Sequence, residues 1–227
     1  TRRVFLLDGD ALTLTRARLE PVLVALNERF PELQRVSAYS NAVSVLNKSD
    51  EDLRALRALK FQVAYLGLES GDPETNQHVI KGASIDEQVE AVQRAQAAGI
   101  KMSVMVLLGI AGRARSRQHA IATGEVLTRM DPRYISCLCV TPVPGTPLFE
   151  EFESGRFDLP SPEETLEELR LIVEHTHVSA AVFRSNHASN YLPLGGRLPA
   201  DRESLLRAIR AAQTGQIPLK PESMRGL

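Results

Sequence analysis

Apolar residues fall along this chain in two alternating rhythms. Short runs of consecutive apolar and β-branched residues, at 4–7, 35–39, 63–68, 101–108 and 134–140, are separated by longer stretches whose apolar positions recur every three to four residues. Consecutive apolar positions suit strands covered on both faces. The wider spacing suits helices with one buried stripe. Their alternation predicts repeated βα units and a parallel sheet.

Helix starts carry capping chemistry: Ser49 with Asp52, Ser84 with Glu87, and Ser161 with Pro162 and Glu164. A serine whose side chain accepts from the third helical amide, answered by an acidic residue there, satisfies donors a helix otherwise leaves unpaired. Leu53 and Leu56, then Val89 and Val92, follow at helical spacing, and Gly99 before Ile100 suits a left-handed helix end. After the Pro142 to Pro147 stretch the alternation weakens. A Glu-rich helix from 162 to about 177, a polar stretch over 182–191, a last helix from 201 to about 213 and a fraying tail follow. The expected division is therefore a βα region over 1–150 and a mainly helical extension over 151–227.

Composition narrows the class. The 227 residues include 27 Lys and Arg against 28 Asp and Glu, a net charge of -1, so no overall field favours nucleic acid or an anionic membrane. No apolar run approaches the ~20 residues that span a bilayer, and the first residues lack a secretory layout; a cytoplasmic protein is expected. The two cysteines, Cys137 and Cys139, share one face of a predicted strand. With no second pair nearby they read as reduced core residues.

Ligands of parallel βα folds bind where the strands end, because loops and helix N-termini converge there. The strand ends here are polar: Asp8-Gly9-Asp10 after the first, Ser40-Asn41 after the second, Glu69-Ser70-Gly71 after the third and Gly109 to Gly112 after the fourth. Any one of these suits ordinary turn chemistry. Four in succession predict a binding rim.

Four readings of that rim compete. Asp8-x-Asp10 at a strand end is similar to the first motif of haloacid-dehalogenase-type phosphatases, with one aspartate as nucleophile and the other handling the leaving-group proton. Yet Leu12 stands where that family has Thr or Val, and the later strand end at Leu107 to Ile110 has no carboxylate to hold magnesium. A generic magnesium site would use Asp8, Asp10 and Glu69, and a non-catalytic module would use the rim only to hold a ligand. Of the five histidines, His78, His119 and His175 fall on predicted helices and read as surface residues.

The fourth reading takes the motifs in their order. Asp8-Gly9-Asp10, Gly67-Leu68-Glu69-Ser70-Gly71, Lys81-Gly82, the run Met105 to Gly109 and the stretch Thr141 to Leu148 together resemble radical S-adenosylmethionine enzymes over the first two thirds of the chain. The branch with oxygen-independent coproporphyrinogen oxidases, methylthiotransferases and Fe-S oxidoreductases is the most similar. The resemblance implies a partial (β/α) barrel of α/β class and a [4Fe-4S] cluster with S-adenosylmethionine as cofactors. It implies formation of a 5′-deoxyadenosyl radical that abstracts hydrogen from an unidentified substrate. It also implies roles: Asp8, Gly9 and Asp10 at the methionyl ammonium, Ser40 and Asn41 toward the carboxylate, and Glu69 and Ser70 at the ribose or methionyl end. Leu108, Gly109, Val140 and Pro142 fall at the adenine walls.

One departure matters. The family's CxxxCxxC loop holds the cluster, and Cys137-x-Cys139 has another spacing and another place. The sequence thus reads as a fragment lacking the first βα unit, expected to be inactive alone. A missing first strand would leave an open sheet edge through which copies could associate.

Overall fold

The computed structural model describes residues 1–226. Strand β1 (Arg3–Asp10) leads through a 3₁₀ turn (Ala11–Thr13) to helix α1 (Arg16–Arg29), and β2 (Arg35–Ser40) to α2 (Ala42–Leu46) and α3 (Asp50–Ala58). Strand β3 (Phe61–Glu69) precedes α4 (Pro73–His78) and α5 (Ile85–Ala97); β4 (Lys101–Leu108) precedes α6 (Gly112–Met130). Then come β5 (Tyr134–Cys139), α7 (Pro147–Glu153), α8 (Pro162–His175), β6 (Ala181–Ser185), β7 (Leu194–Leu198) and α9 (Arg202–Gln213).

The predicted caps are the observed ones. Ser49, Ser84 and Ser161 each close a reciprocal capping box with Asp52, Glu87 and Glu164. Gly99 takes a left-handed φ of 84° just before β4. Leu53, Leu56, Val89 and Val92 are buried.

All seven strands form one sheet in sequence order. Neighbours from β1 to β6 run parallel, and β7 pairs antiparallel with β6. A sheet that never reverses its strand order has no topological switch point, so this is the arc of a (β/α) barrel and not a doubly wound sheet. On the helix-covered face Val36, Ala38, Leu66, Val104 and Ile135 are fully buried against Leu23, Leu56, Leu127 and Ile172. On the opposite face Phe5, Tyr39 and Tyr65 meet across the first three strands, with ring centroids 5.1 to 6.1 Å apart. Leu7, on edge strand β1, is 69% exposed.

The sheet continues past residue 150, into the stretch expected to be mainly helical. β6 is short and carries Arg184, and β7 reads Leu194-Gly195-Gly196-Arg197-Leu198. Glycine pairs are poor strand formers, so sheet contacts and not local preference fix this strand. No helix among the described residues is long and apolar enough to cross a membrane.

Candidate functional site at the strand ends

The first strand end is shaped by left-handed backbone at Asp8 (φ 65°) and Gly9 (φ 117°). Pairing jumps from Leu6 with Ala38 to Asp10 with Tyr39, so residues 7–9 bulge out of the ladder and stand exposed. Asp10 turns inward. One carboxylate oxygen accepts from the Leu12 amide and the other from the Asn41 amide, each at 2.8 Å. Asn41 caps α2 through Ser44, and the Ser40 hydroxyl donates to the Tyr65 carbonyl at 3.3 Å. Asp10, Ser40 and Asn41 therefore brace the rim, leaving Asp8 and Gly9 to face outward.

At the third strand end Glu69 also adopts positive φ, 60°, and the register shifts between Gly67 and Glu69. The Glu69 carboxylate folds back over Gly67 and accepts from Lys81 Nζ at 3.1 Å. A Cβ on Gly67 would lie 2.0 Å from Glu69 Oε1 and 3.3 Å from Lys81 Nζ, so any side chain here would make the Glu69 carboxylate move from its place over Gly67.

Ser70 was expected to face a ligand, and it does not. It is fully buried, accepts from the Asp72 amide at 3.0 Å and lies 2.8 Å from His119 Nδ1. His119 is likewise fully buried on α6, against the expectation of a surface histidine. The turn after β3 reverses the chain so sharply that Ser70 points back under the rim. With the serine proton directed to Nδ1, the neutral ring carries its hydrogen on Nε2. That atom has no partner and lies 3.9 Å from Glu168 Oε2.

Glu168, on α8, is fully buried, and its Oε2 accepts from the Gly109 amide at 2.6 Å while Oε1 is unpartnered. Burial pushes the Glu168 carboxyl up to about 7 and the His119 imidazole down to about 4. The two are therefore not an ion pair at neutral pH, close as they are. Beside them burial pushes Asp72 up, but its bonds with Arg115 and Thr75 outweigh this and hold it at about 2. Ser70, His119, Glu168 and Gly109 thus link the ends of β3 and β4 from beneath.

Glu168 was not singled out in the sequence, and His119 was read there as a surface residue. The available signal was periodicity: Glu168 shares the buried stripe of Thr165, Leu169 and Ile172, and His119 that of Thr123 and Leu127. A polar residue on an apolar stripe needs a partner there.

Leu108, Gly109, Val140 and Pro142 are brought together, lining one cavity of about 230 Å³ with Pro160 and Tyr191. Gly109 has a φ of 84°, and a Cβ there would stand 3.2 Å from Val140 Cγ1. A larger cavity of about 520 Å³ lies on the loop between α4 and α5, lined by Pro73, Ile80 and Lys81 among others.

Among the described residues no three His, Cys, Asp or Glu side chains stand close enough to hold a metal ion. Asp8, Asp10 and Glu69 do not converge, and the magnesium and phosphatase readings lose their ligand set. Cys137 and Cys139 are buried, and burial raises both thiols, Cys139 to about 11 and Cys137 further. A cluster needs several thiolates converging from outside the core; these two do not fit it.

Residues 1–116 match the model of the radical SAM superfamily. Over 141 residues the chain is 23% identical to an uncharacterised methyltransferase of Pyrococcus horikoshii, covering 62% of this chain and 29% of that protein. Among solved structures, Elp3 of Methanocaldococcus infernus, lacking its first 46 residues, aligns with a TM-score of 0.66 at 14% identity, covering 95% of this chain and 55% of that one. Coproporphyrinogen III oxidase of Escherichia coli aligns with a TM-score of 0.59 at 17% identity, covering 76% and 39%. The chain thus spans between about a third and about half of the length of these relatives, and the structural likenesses concern the fold. The family match covers all four polar strand ends from Asp8 to Gly112, and the chain belongs to the radical S-adenosylmethionine superfamily of enzymes.

Proposed function

We propose that this chain forms the S-adenosylmethionine-binding rim of a radical SAM enzyme. The observation that carries the reading is the convergence of Leu108, Gly109, Val140 and Pro142 on one cavity at the ends of β4 and β5. Flat apolar walls beside main-chain amides suit a purine. Farther along the same rim, Glu69 offers acceptors to a ribose hydroxyl or an ammonium, with Gly67 and Lys81 fixing its direction. Exposed Asp8 and Gly9 offer a carboxylate and an open backbone to the methionyl ammonium. Asp10, Ser40 and Asn41 act one layer back by holding these groups in place.

Bound S-adenosylmethionine would supply hydrogen-abstraction chemistry, and this chain's residues would orient it and keep water from its apolar end. The electron for that chemistry belongs to an iron-sulfur cluster, for which Cys137 and Cys139 are unsuited. The 227 residues alone are therefore expected not to cleave the cofactor reductively. The relatives' names include an oxidase and a methyltransferase, and the rim favours neither reaction.

Two assays test the reading. Calorimetry should give saturable binding of S-adenosylmethionine, abolished in Thr141→Trp, where the ring would fill the cavity that exposed Thr141 also lines; absence of heat from the unaltered chain would contradict it. After anaerobic incubation with iron, sulfide and reductant, 5′-deoxyadenosine should not form. Its formation would show that the two cysteines hold a working cluster after all.

A further inference from the structure

The polar stretch after β6 is a platform with a load. β6 pairs with β5 only over residues 134–136, so the end of β5 finds its partners elsewhere. The Cys139 amide donates to Ser189 Oγ at 3.1 Å and Asn190 Oδ1 at 2.9 Å, while Asn190 Nδ2 donates to the Cys137 carbonyl at 2.8 Å and Ser185 Oγ at 2.7 Å. All of these groups are buried, so the turn is fixed to the rim through its side chains.

The C-terminal segment lies on that platform. The Lys220 amide donates to the Tyr191 carbonyl at 2.9 Å, and Arg225 Nε to the Ser189 carbonyl at 2.6 Å. The Arg225 guanidinium stands 3.7 Å from the centroid of the Tyr191 ring. Glu222 Oε2 accepts from both Arg225 Nη1, at 2.5 Å, and the Tyr191 hydroxyl, at 3.2 Å. The Arg225 side chain is only 9% exposed, held flat by these contacts. Tyr191, Glu222 and Arg225 line the same 230 Å³ cavity whose inner wall is Leu108, Gly109, Val140 and Pro142.

We infer that residues 220–226 are part of the ligand site, with the Arg225 and Tyr191 pair forming the outer wall against which the purine is held. This rests on the cofactor reading above and adds to it a second wall drawn from the far end of the chain. The cavity is smaller than the ~300 to 1,000 Å³ that encloses whole drug-sized ligands. It therefore takes one end of the cofactor, and its apolar inner wall selects the base over the charged methionyl end. A guanidinium already stacked on an aromatic ring offers a flat cationic surface that attracts the face of a purine. Glu222 keeps that surface oriented.

Calorimetry on the full chain with two probes tests this: S-adenosylmethionine, and 5′-deoxyadenosine, which lacks the methionyl end. Arg225→Ala should weaken both by about tenfold, and Arg225→Lys should not restore binding, because an ammonium lacks the planar stack. Asp8→Asn, which alters only the group facing the methionyl ammonium, should weaken S-adenosylmethionine alone. If Thr141→Trp abolishes binding while Arg225→Ala leaves both affinities unchanged, the outer-wall inference falls and the cofactor reading stands. If the unaltered chain binds neither probe, both fall.

Discussion

Glu168 Oε2 accepts a hydrogen bond from the Gly109 amide at 2.6 Å, and through it a helix far along the chain holds the end of β4. Gly109 must remain glycine to keep its left-handed backbone beside Val140, so it has no side chain of its own to brace it. The buried carboxyl supplies the brace.

Removing that acceptor is expected to cost stability. Glu168→Leu would strand the buried Gly109 amide, at about 1 to 3 kcal/mol, whereas Glu168→Gln retains an oxygen there and should cost less. Urea unfolding at pH 6 compares the two. Equal destabilisation would mean that the bond carries no weight.

The pH dependence follows from the same buried groups. Glu168 is raised from 4.5 to about 7, so its contribution is complete below 4.5 and is lost as pH rises through 7. His119 is lowered from 6.5 to about 4: the unfolded chain binds its proton first, and stability is lost as pH falls from 6.5 through 4. Relative to the unaltered chain, Glu168→Gln should gain stability between pH 4.5 and 7, and His119→Gln between 6.5 and 4. Profiles parallel to that of the unaltered chain would contradict the assignment.

Gly67→Ala should act on the ligand more than on the fold. Its Cβ would displace the Glu69 carboxylate, while the Glu69 and Lys81 pair is 22% exposed on each side and worth about 1 kcal/mol or less. The expected result is a loss of S-adenosylmethionine affinity like that of Glu69→Gln, with the unfolding midpoint shifted by a few degrees at most. Unchanged affinity would remove Glu69 from the site.

Cys137 and Cys139 should resist a thiol-specific disulfide reagent at pH 8 until the chain unfolds, since burial holds both thiols protonated. Rapid reaction of the folded protein would place them nearer the surface than the structure does.

The first five of the six parallel strands and three of the capping boxes were legible because each rests on a local pattern: a run of apolar residues, or a serine three positions before a carboxylate. The rim was legible for the same reason, as polar residues at strand ends. What the local pattern could not convey was direction. Ser70 and Glu69 are neighbours, yet one points under the rim and one over it, because positive φ at Glu69 turns the chain between them. Asp10, read as a ligand group, is taken up by two backbone amides. β6 and β7 were missed because Arg184 and the glycine pair contradict strand preference, and only the pairing of β6 with β5 and of β7 with β6 makes them strands. His119, Glu168, Glu222 and Arg225 owe their placement to contacts across 31 to 59 residues of sequence.

Hydrogen exchange of the full chain with and without S-adenosylmethionine tests the central claim most directly. Protection is expected in peptides covering 67–70, 108–112 and 139–143, the strand ends that form the rim. Protection confined to the 73–86 loop, or none at saturating S-adenosylmethionine, would contradict it.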